Sequence, residues 1–554
     1  MANYTELANL IFPEVSLTIA DLEKRYPERK LKEGAIVTRF APSPTGYLHT
    51  GGLFSSLISY RLAMQTNGVF FLRIEDTDQK REIEGAGELL VRELSKFSIY
   101  PTEGYQADNI EKGIYGPYKQ SDRAEIYKVV IKDMISRGLA YPCFCTQEEM
   151  ETLRIAQENE KLRTGYYGKY AKCRHLTVDE QIERIKNNES FVIRFKSHGN
   201  EENKVHVKDL IRGELDLTEN DQDIVIYKSD GLPTYHFAHL VDDHFMRTTH
   251  VIRGEEWLSS LPIHIELFNT MNWQLPFYAH LPVIMKLEDG RRRKLSKRKD
   301  PEAAVGYFLE SGYPANGIVE YLLTIANSNY EEWRSQNMDK EMFDFILSFD
   351  KISLDGALFD MAKIQNICKE RLSILPTEII AKNAYSWAEV YSKDLYDLIN
   401  RDYDYFKKIM SIDREKENPR KDYEKYSDIF NAINFFYDDF FDESLKEELP
   451  FPETLNKEEI KNILHLYLKN IKMNLGDEEW LNDLKALGLN MNYAPSAKEY
   501  KKNKEQFKGH IGDFSGAIRV AVTGRKNCPN LYMVLEILGK EKIVERINKV
   551  LAII

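Results

Sequence analysis

The sequence predicts an α/β fold that carries an inserted segment and is followed by a separate α-helical domain. Three observations lead there. A strand, helix, strand unit runs from Ala35 to Ile74. Strand-like runs return at Ile224-Val-Ile-Tyr227, Val251-Ile-Arg253 and Pro282-Val-Ile-Met285. Beyond about residue 375 the apolar residues recur almost entirely at helical spacing. A chain of 554 residues is too long for one hydrophobic core, so several domains are expected.

Residues 1–34 read as a helical, charged extension, after which Ala35-Ile-Val-Thr-Arg-Phe40 has the β-branched and apolar content of a buried strand. The turn Pro42-Ser-Pro-Thr-Gly46 follows. Leu53, Leu57, Tyr60 and Met64 then share a helix face, and Asn67-Gly68 closes that helix before the strand Val69-Phe-Phe-Leu-Arg-Ile74. Units of this kind build parallel sheets whose ligands lie beyond the carboxyl ends of the strands. The proline turn and the cluster Glu75, Asp76, Asp78 both fall at that edge. Residues 120–217 then read as an insertion that holds a cysteine cluster. In the last part Ile460, Ile463, Leu464, Tyr467, Leu468 and Ile471 fall on one helical face, and no internal repeat or low-complexity linker interrupts the chain.

Composition narrows the function classes. There is no basic start followed by an apolar block and no run long enough to span a bilayer, so a cytoplasmic protein with no membrane attachment is expected. Five cysteines in so long a chain make no disulfide framework, which fits a reducing compartment. The net charge of -12 speaks against a surface basic throughout, but nucleic-acid binding needs only local patches.

Four groups of residues carry candidate chemistry. His49, Gly51 and Gly52 open a helix, where unpaired N–H groups and the helix dipole favour phosphate oxygens; helix capping by His49 and close packing by the glycines would equally suit them. Glu75, Asp76 and Asp78 follow an apolar strand and suit an ammonium partner, or form a solvated acidic loop, while Arg39 could grip a carboxylate or bridge to one of these acids. Seven basic residues in the nine from Arg291 to Lys299 follow the turn Asp289-Gly290, with Lys294 and Lys297 flanking Leu295-Ser296; they supply mobile cations for a triphosphate, or a solvated face. Cys143, Cys145, Cys173 and His175 form Cys-x-Cys and Cys-x-His pairs chemically adequate for tetrahedral zinc, or are unrelated core residues.

Read together, these segments resemble the class I glutamyl-tRNA synthetase family. Arg39-Phe-Ala-Pro-Ser-Pro-Thr-Gly46 is similar to that family's opening signature, His49-Thr-Gly-Gly52 to the HIGH element with its last histidine replaced, and Lys294-Leu-Ser-Lys-Arg298 to the KMSKS element. Tyr118-Lys-Gln-Ser-Asp-Arg123, Tyr227 to His236, Val241-Asp-Asp-His244, Ile252-Arg-Gly-Glu-Glu-Trp257 and Ala517 to Gly524 resemble further family motifs in the expected order. The glutaminyl branch opens with Pro-Glu-Pro-Asn-Gly, so the Pro42-Ser-Pro-Thr-Gly46 form favours glutamate.

The resemblance implies a class I Rossmann-like catalytic domain over 35–119 and 218–285, an inserted acceptor-end-binding domain over 120–217, a stem-contact region over 286–375 and an α-helical anticodon-binding domain over 376–554. It implies a glutamate-binding group of Arg39, Ala41, Ser43, Glu75, Tyr235, His239 and Arg253, although many members have asparagine where this chain has His239. It implies ATP contacts from His49, Gly51, Gly52, Glu256 and the stretch Leu287 to Lys297, with His49, Lys294 and Lys297 as the catalytic residues. Thr77 and Asp78 would meet the terminal adenosine of the tRNA. Magnesium would accompany ATP; zinc is an open second metal, with His175 and Tyr170 competing for the fourth ligand position. The implied partners are L-glutamate and tRNA(Glu), with tRNA(Gln) open, and the implied state is a monomer. Lys297→Ala is expected to lower the activation rate by a factor on the order of a hundred or more while leaving the fold intact, read in single-turnover reactions.

Overall fold

The computed structural model describes residues 3–554 apart from 45, 79–82, 109, 297 and 355. The chain divides into two compact units, Met1–Phe308 with Ile318–Asp360, and Leu309–Gly317 with Met361–Ile554.

The first unit is built on parallel strands. Val37–Phe40 pairs in parallel with Val69–Leu72, which pairs in parallel with Glu103–Tyr105. On the other side the Val37 carbonyl accepts the Thr249 N–H at 3.0 Å. That links the first strand to the entry of His250–Gly254, itself parallel to Phe277–Leu281. The helix Thr50–Gln65 crosses between the first two strands and buries Leu53, Leu57 and Ile58 against them. Burying such side chains contributes about 1.5–3 kcal/mol each. Asn67 takes a φ of 53° at the end of that helix. A Cβ on Gly68 would lie 1.9 Å from the Ile36 carbonyl oxygen, so the return to the next strand admits only glycine.

Two strand expectations need correction. Val225–Tyr227 does not return to the parallel sheet. It pairs antiparallel with Val192–Phe195, which pairs antiparallel with Ala140–Cys143 in a separate three-stranded sheet. A short apolar run shows its strand character but not its neighbour, which is chosen by tertiary packing. The run Pro282–Met285 is not one strand either. Phe277–Leu281 ends before Pro282, which has no N–H to give a ladder, and a new strand starts at Met285. The inserted region also reaches the parallel sheet, where Asp209 lies opposite Tyr278 at its edge.

The N-terminal residues belong to this unit. Tyr4–Ile11 and Ile19–Arg25 are helices, the second opened by a reciprocal capping box between Thr18 and Asp21. Leu7, Ala8, Phe12, Leu22 and Tyr26 are buried. Arg29 grips Glu103 with two nitrogens at 2.8 and 2.9 Å, and the Tyr26 hydroxyl donates to the Gly116 carbonyl at 2.9 Å.

The second unit is helical, with Tyr493–Ala494 and Gly509–His510 as its only strand pair among the described residues. Ile460, Ile463, Leu464 and Tyr467 of the helix Lys457–Lys469 share its core with Phe514, Ile518 and Ile547. Gly524, at φ 68°, ends the helix Ile511–Thr523 in the left-handed conformation that glycine adopts most readily. Arg546 is buried and donates to the carbonyls of Phe435 and Val522 and to Asp438, each at 2.8 Å. A buried guanidinium that donates in several directions ties together the chain turns that surround it.

Candidate active site

The carboxyl ends of Val37–Phe40, Val69–Leu72, His250–Gly254 and Phe277–Leu281 open on a cavity of about 1050 Å³. Arg39, Ala41, Ser43, Glu75, Tyr235 and Arg253 line it, and so do His49, Gly51, Gly52, Glu256, Lys294, Leu295, Thr77 and Asp78. Residues spread over more than 250 positions of sequence thus face one space. Ser296 is near but not in the lining, and Lys297 lies outside the described residues.

His49 is the N-cap of the helix Thr50–Gln65, its Nδ1 accepting the Gly51 N–H at 3.0 Å. The capping role and the position in the cavity wall therefore coexist. A Cβ on Gly52 would stand 3.2 Å from the Leu48 side chain and 3.5 Å from the Phe40 ring, so this glycine also serves close packing.

The acids beside the strand ends are buried rather than solvated. Arg73, fully buried, donates to Glu75 at 2.9 Å and to Asp243 at 2.8 Å. Arg39 directs its Nε to both oxygens of Asp243 at 3.2 and 3.3 Å. Asp242 accepts from Arg123 at 2.6 Å and from Gln120 at 2.8 Å. Burial raises the Glu75 pKa above the ordinary carboxylate value in spite of Arg73 and Arg39 nearby. Asp76 Oδ1 accepts the Ser121 N–H at 2.8 Å, and its Oδ2 lies 3.4 Å from Lys119 Nζ.

The basic segment is a hairpin. Met285–Glu288 pairs antiparallel with Arg291–Lys294 across Asp289 and Gly290, whose φ values of 49° and 76° suit a two-residue hairpin turn. The hairpin's exit is fastened by Asp300, which accepts from Arg293 at 2.6 and 2.8 Å, from Lys286 at 3.1 Å and from the Ser296 N–H at 2.9 Å. Arg293 is thereby structural. Lys294 stands at the cavity with its Nζ 3.5 Å from Glu256. Both side chains are about half exposed, and such a pair exchanges readily for another anion.

His239 does not line the cavity. Fully buried, it sits behind Tyr235, the two rings 6.1 Å apart and stacked; its Nε2 meets the Tyr278 hydroxyl at 3.0 Å and its Nδ1 lies 2.9 Å from Asp243. Helical spacing puts residues 235 and 239 on one face, and Tyr235 occupies the outer place on it. Sequence reasoning missed Trp257, whose ring is 4.4 Å from that of Tyr235, and Lys228, whose Nζ donates to the Thr77 carbonyl at 3.0 Å. Both stand in the motifs Ile252 to Trp257 and Tyr227 to His236, which offered the only signal.

In the inserted region the sulfurs of Cys143, Cys145 and Cys173 lie within 4.8 Å of one another. His175 is not with them. The short 3-10 turn Lys172–His175 leaves it exposed, with Nε2 3.4 Å from the Gly168 carbonyl oxygen. The Tyr166 hydroxyl, absent from the expected ligand set, is 3.5 Å from Cys143 Sγ and 3.3 Å from Cys145 Sγ. Hydrogen bonds among the three thiols pull the Cys143 thiol below its ordinary 9.0 and push that of Cys145 above it, so one sulfur of the pair gives up its proton more readily than the other.

The family model described as "tRNA synthetases class I (E and Q), catalytic domain" matches residues 35–365, and that described as "Anticodon binding domain" matches residues 395–551. A glutamate–tRNA ligase of Clostridium perfringens (strain SM101 / Type A) is 48% identical over 551 residues, covering 100% of both chains. One of Acetivibrio thermocellus is 47% identical, covering 99% of this chain and 100% of that one. Among solved structures, a glutamate tRNA ligase from Elizabethkingia meningosepticum in complex with its amino acid matches with a TM-score of 0.75 at 27% identity, covering 94% of this chain and 99% of that chain.

Proposed function

Since the chain belongs to the class I tRNA synthetases of the glutamate and glutamine type, we infer that it is a glutamate–tRNA ligase, joining L-glutamate to the 3′ end of tRNA(Glu) at the expense of ATP. The observation that carries this reading is a single cavity lined both by Arg39, Glu75, Tyr235 and Arg253 and by His49, Gly51, Glu256 and Lys294.

In the proposed reaction the glutamate α-carboxylate attacks the α-phosphorus of ATP and pyrophosphate leaves. A terminal ribose hydroxyl of the tRNA then attacks the mixed anhydride, releasing AMP. No enzyme nucleophile is needed, so positioning and electrostatics carry the rate. Glu75 receives the α-ammonium group, and Arg253, with Arg39, faces the side-chain carboxylate. His49 and the helix opening at Gly51 and Gly52 receive phosphate oxygens. Lys294 and Lys297 stabilise the charge that develops on the triphosphate. Magnesium supplies further neutralising charge when bound with the triphosphate. Thr77 and Asp78, on the cavity rim, meet the tRNA's terminal adenosine. The second unit reads the anticodon, where unstacked bases are open to recognition. Among the described residues no helix is long and apolar enough to cross a membrane.

Charging of purified tRNA(Glu) and tRNA(Gln) with labelled glutamate, in separate reactions, tests the reading. Charging of tRNA(Glu) is the expected result, and the tRNA(Gln) reaction decides whether that tRNA is a second substrate. No charging of either by folded protein would overturn the proposal in favour of a noncatalytic RNA-binding role.

Zinc belongs to the same proposal. Three convergent thiols suit it, and Cys143, Cys145 and Cys173 would hold it with the Tyr166 oxygen alongside, giving the inserted region a structural cross-link. Metal analysis of protein never exposed to chelator is expected to give one zinc per chain, retained in His175→Ala and lost in Cys173→Ser. A content well under one per chain in the unaltered protein would remove the metal from the proposal.

A further inference from the structure

The two arginines of the cavity wall are held in opposite ways. Arg39 is paired with the carboxylate of Asp243. Among the described residues no carboxylate lies in ion-pair reach of Arg253, although Arg253 is only 6% exposed. Its partners are uncharged. Nε donates to His280 Nε2 at 3.0 Å, Nη1 meets His264 Nδ1 at 3.3 Å, and Nη2 donates to the Trp257 carbonyl at 3.3 Å.

An arginine side chain has no acceptor, so both imidazole nitrogens must accept from it. Each ring is then neutral with its proton on the far nitrogen, and each proton has a destination. His280 Nδ1 lies 2.7 Å from Asp209 Oδ2, and His264 Nε2 lies 3.0 Å from His236 Nδ1. Burial supports the neutral forms: it pushes His264 well below the ordinary 6.5 and lowers His280 as well, against the opposing effect of Asp209. His239 also crowds His264, with ring centroids 4.2 Å apart. Of the five guanidinium N–H groups three are taken, which leaves one on Nη1 and one on Nη2 for a ligand.

Holding an arginine with a carboxylate fixes its direction and cancels its charge. Holding it with neutral imidazoles fixes the direction alone, and a buried cation without a counter-ion is costly until an anion arrives. We propose that His264 and His280 are positioning residues for substrate selection: as neutral acceptors they aim the Arg253 guanidinium into the cavity and leave its charge to be met by the ligand's side-chain carboxylate. A ligand with a neutral amide in that place, such as glutamine, leaves the cation unmet and is rejected. Asp209 and His236 hold the two tautomers. The inference rests on the reading of Arg253 as the residue that faces the substrate carboxylate.

The test uses charging assays with purified full-length protein and its tRNA, measuring the KM for glutamate, the KM for ATP and inhibition by glutamine. Asparagine and aspartate are nearly the same shape, and either places an oxygen near the position of Nδ1, so the pair separates charge from packing. His264→Asp is expected to raise the glutamate KM about 10- to 100-fold and to narrow the preference over glutamine by a similar factor, with the ATP KM unmoved. His264→Asn is expected to recover most of the glutamate KM that His264→Leu loses. Equal KM and equal preference in the Asn and Asp variants would overturn the proposal, since a packing role treats them alike. If the Asp variant fails to fold, the Asn and Leu pair decides, and equal glutamate KM in those two overturns it. A wild-type protein that charges no glutamate would strike the underlying reading of the cavity, and is distinguishable from both.

Discussion

Arg253→Gln lowers kcat/KM for glutamate charging about a thousandfold and narrows or reverses the preference for glutamate over glutamine. Two charge-assisted hydrogen bonds to the substrate carboxylate are removed, together worth about 4 kcal/mol, and each 1.4 kcal/mol is a factor of ten. The glutamine amide can still donate to one of His264 and His280, so the wall stays partly satisfied and the protein is expected to fold. Steady-state charging with each amino acid as substrate or competitor reads the effect. A fall in kcat/KM of less than tenfold would remove Arg253 from recognition of the side-chain carboxylate.

The second large effect is on stability. Asp243 lies fully buried between Arg39 and Arg73, accepts the Thr248 hydroxyl at 3.1 Å and lies 2.9 Å from His239 Nδ1. Asp243→Asn takes from Arg39 the carboxylate it pairs with and leaves Arg73 with Glu75 at 2.9 Å and the more distant Asp242, and removal of one partner from such a network costs about 3–5 kcal/mol. Equilibrium unfolding in denaturant, with a probe in the first unit, is expected to show a lower midpoint of that size. A change below 1 kcal/mol, roughly the worth of an exposed pair, would mean the network is solvated.

The pH dependence has a definite sign. Burial acts to raise the Asp243 pKa, but Arg39, Arg73 and His239 overcome it, and the net position is well below the ordinary 3.8. A carboxyl with a depressed folded value stabilises the fold above its unfolded pKa, and that contribution is lost as pH falls below about 4 toward the folded value. Glu75 runs the other way. Its pKa is raised from 4.5 by burial, so its ionisation costs stability as pH rises through that raised value. In Asp243→Asn the acid loss of stability below pH 4 should be shallower than in the parent protein.

What could be read from the sequence depended on whether local chemistry or tertiary partnership decided the matter. The first strand, its helix and the second strand follow from period and from the turn residues at Asn67 and Gly68, which are local. The hairpin at Asp289-Gly290 is local as well. The partner of Val225–Tyr227 is not, and a run of β-branched and aromatic residues carries no address. The same division holds at the cavity. Motifs pointed to residues now seen to share it, but whether Arg39 and Arg253 were free or paired was set by Asp243, His264 and His280. Asp243 lies 204 positions from Arg39 and His264 only 11 from Arg253, and no spacing rule distinguishes the cases. His239 and His175 were expected at sites by their neighbours in sequence. A helix that placed Tyr235 outermost and a 3-10 turn that faced His175 to solvent put them elsewhere.

The N-terminal residues give the first unit two different beginnings. The match to the catalytic domain starts at residue 35, while the relatives align over the N-terminal residues too, and the body that must fold starts earlier than that match, because Arg29 holds Glu103, Arg247 reaches the Tyr26 carbonyl at 3.0 Å and Tyr26 is buried. A fragment begun at Ala35 would possess every inherited motif and still expose the apolar surface that Leu7, Phe12 and Leu22 now cover. The motifs of the cavity occupy one stretch of the chain and mechanical integrity a longer one. Residues that carry none of the site's motifs are part of what lets the site stand.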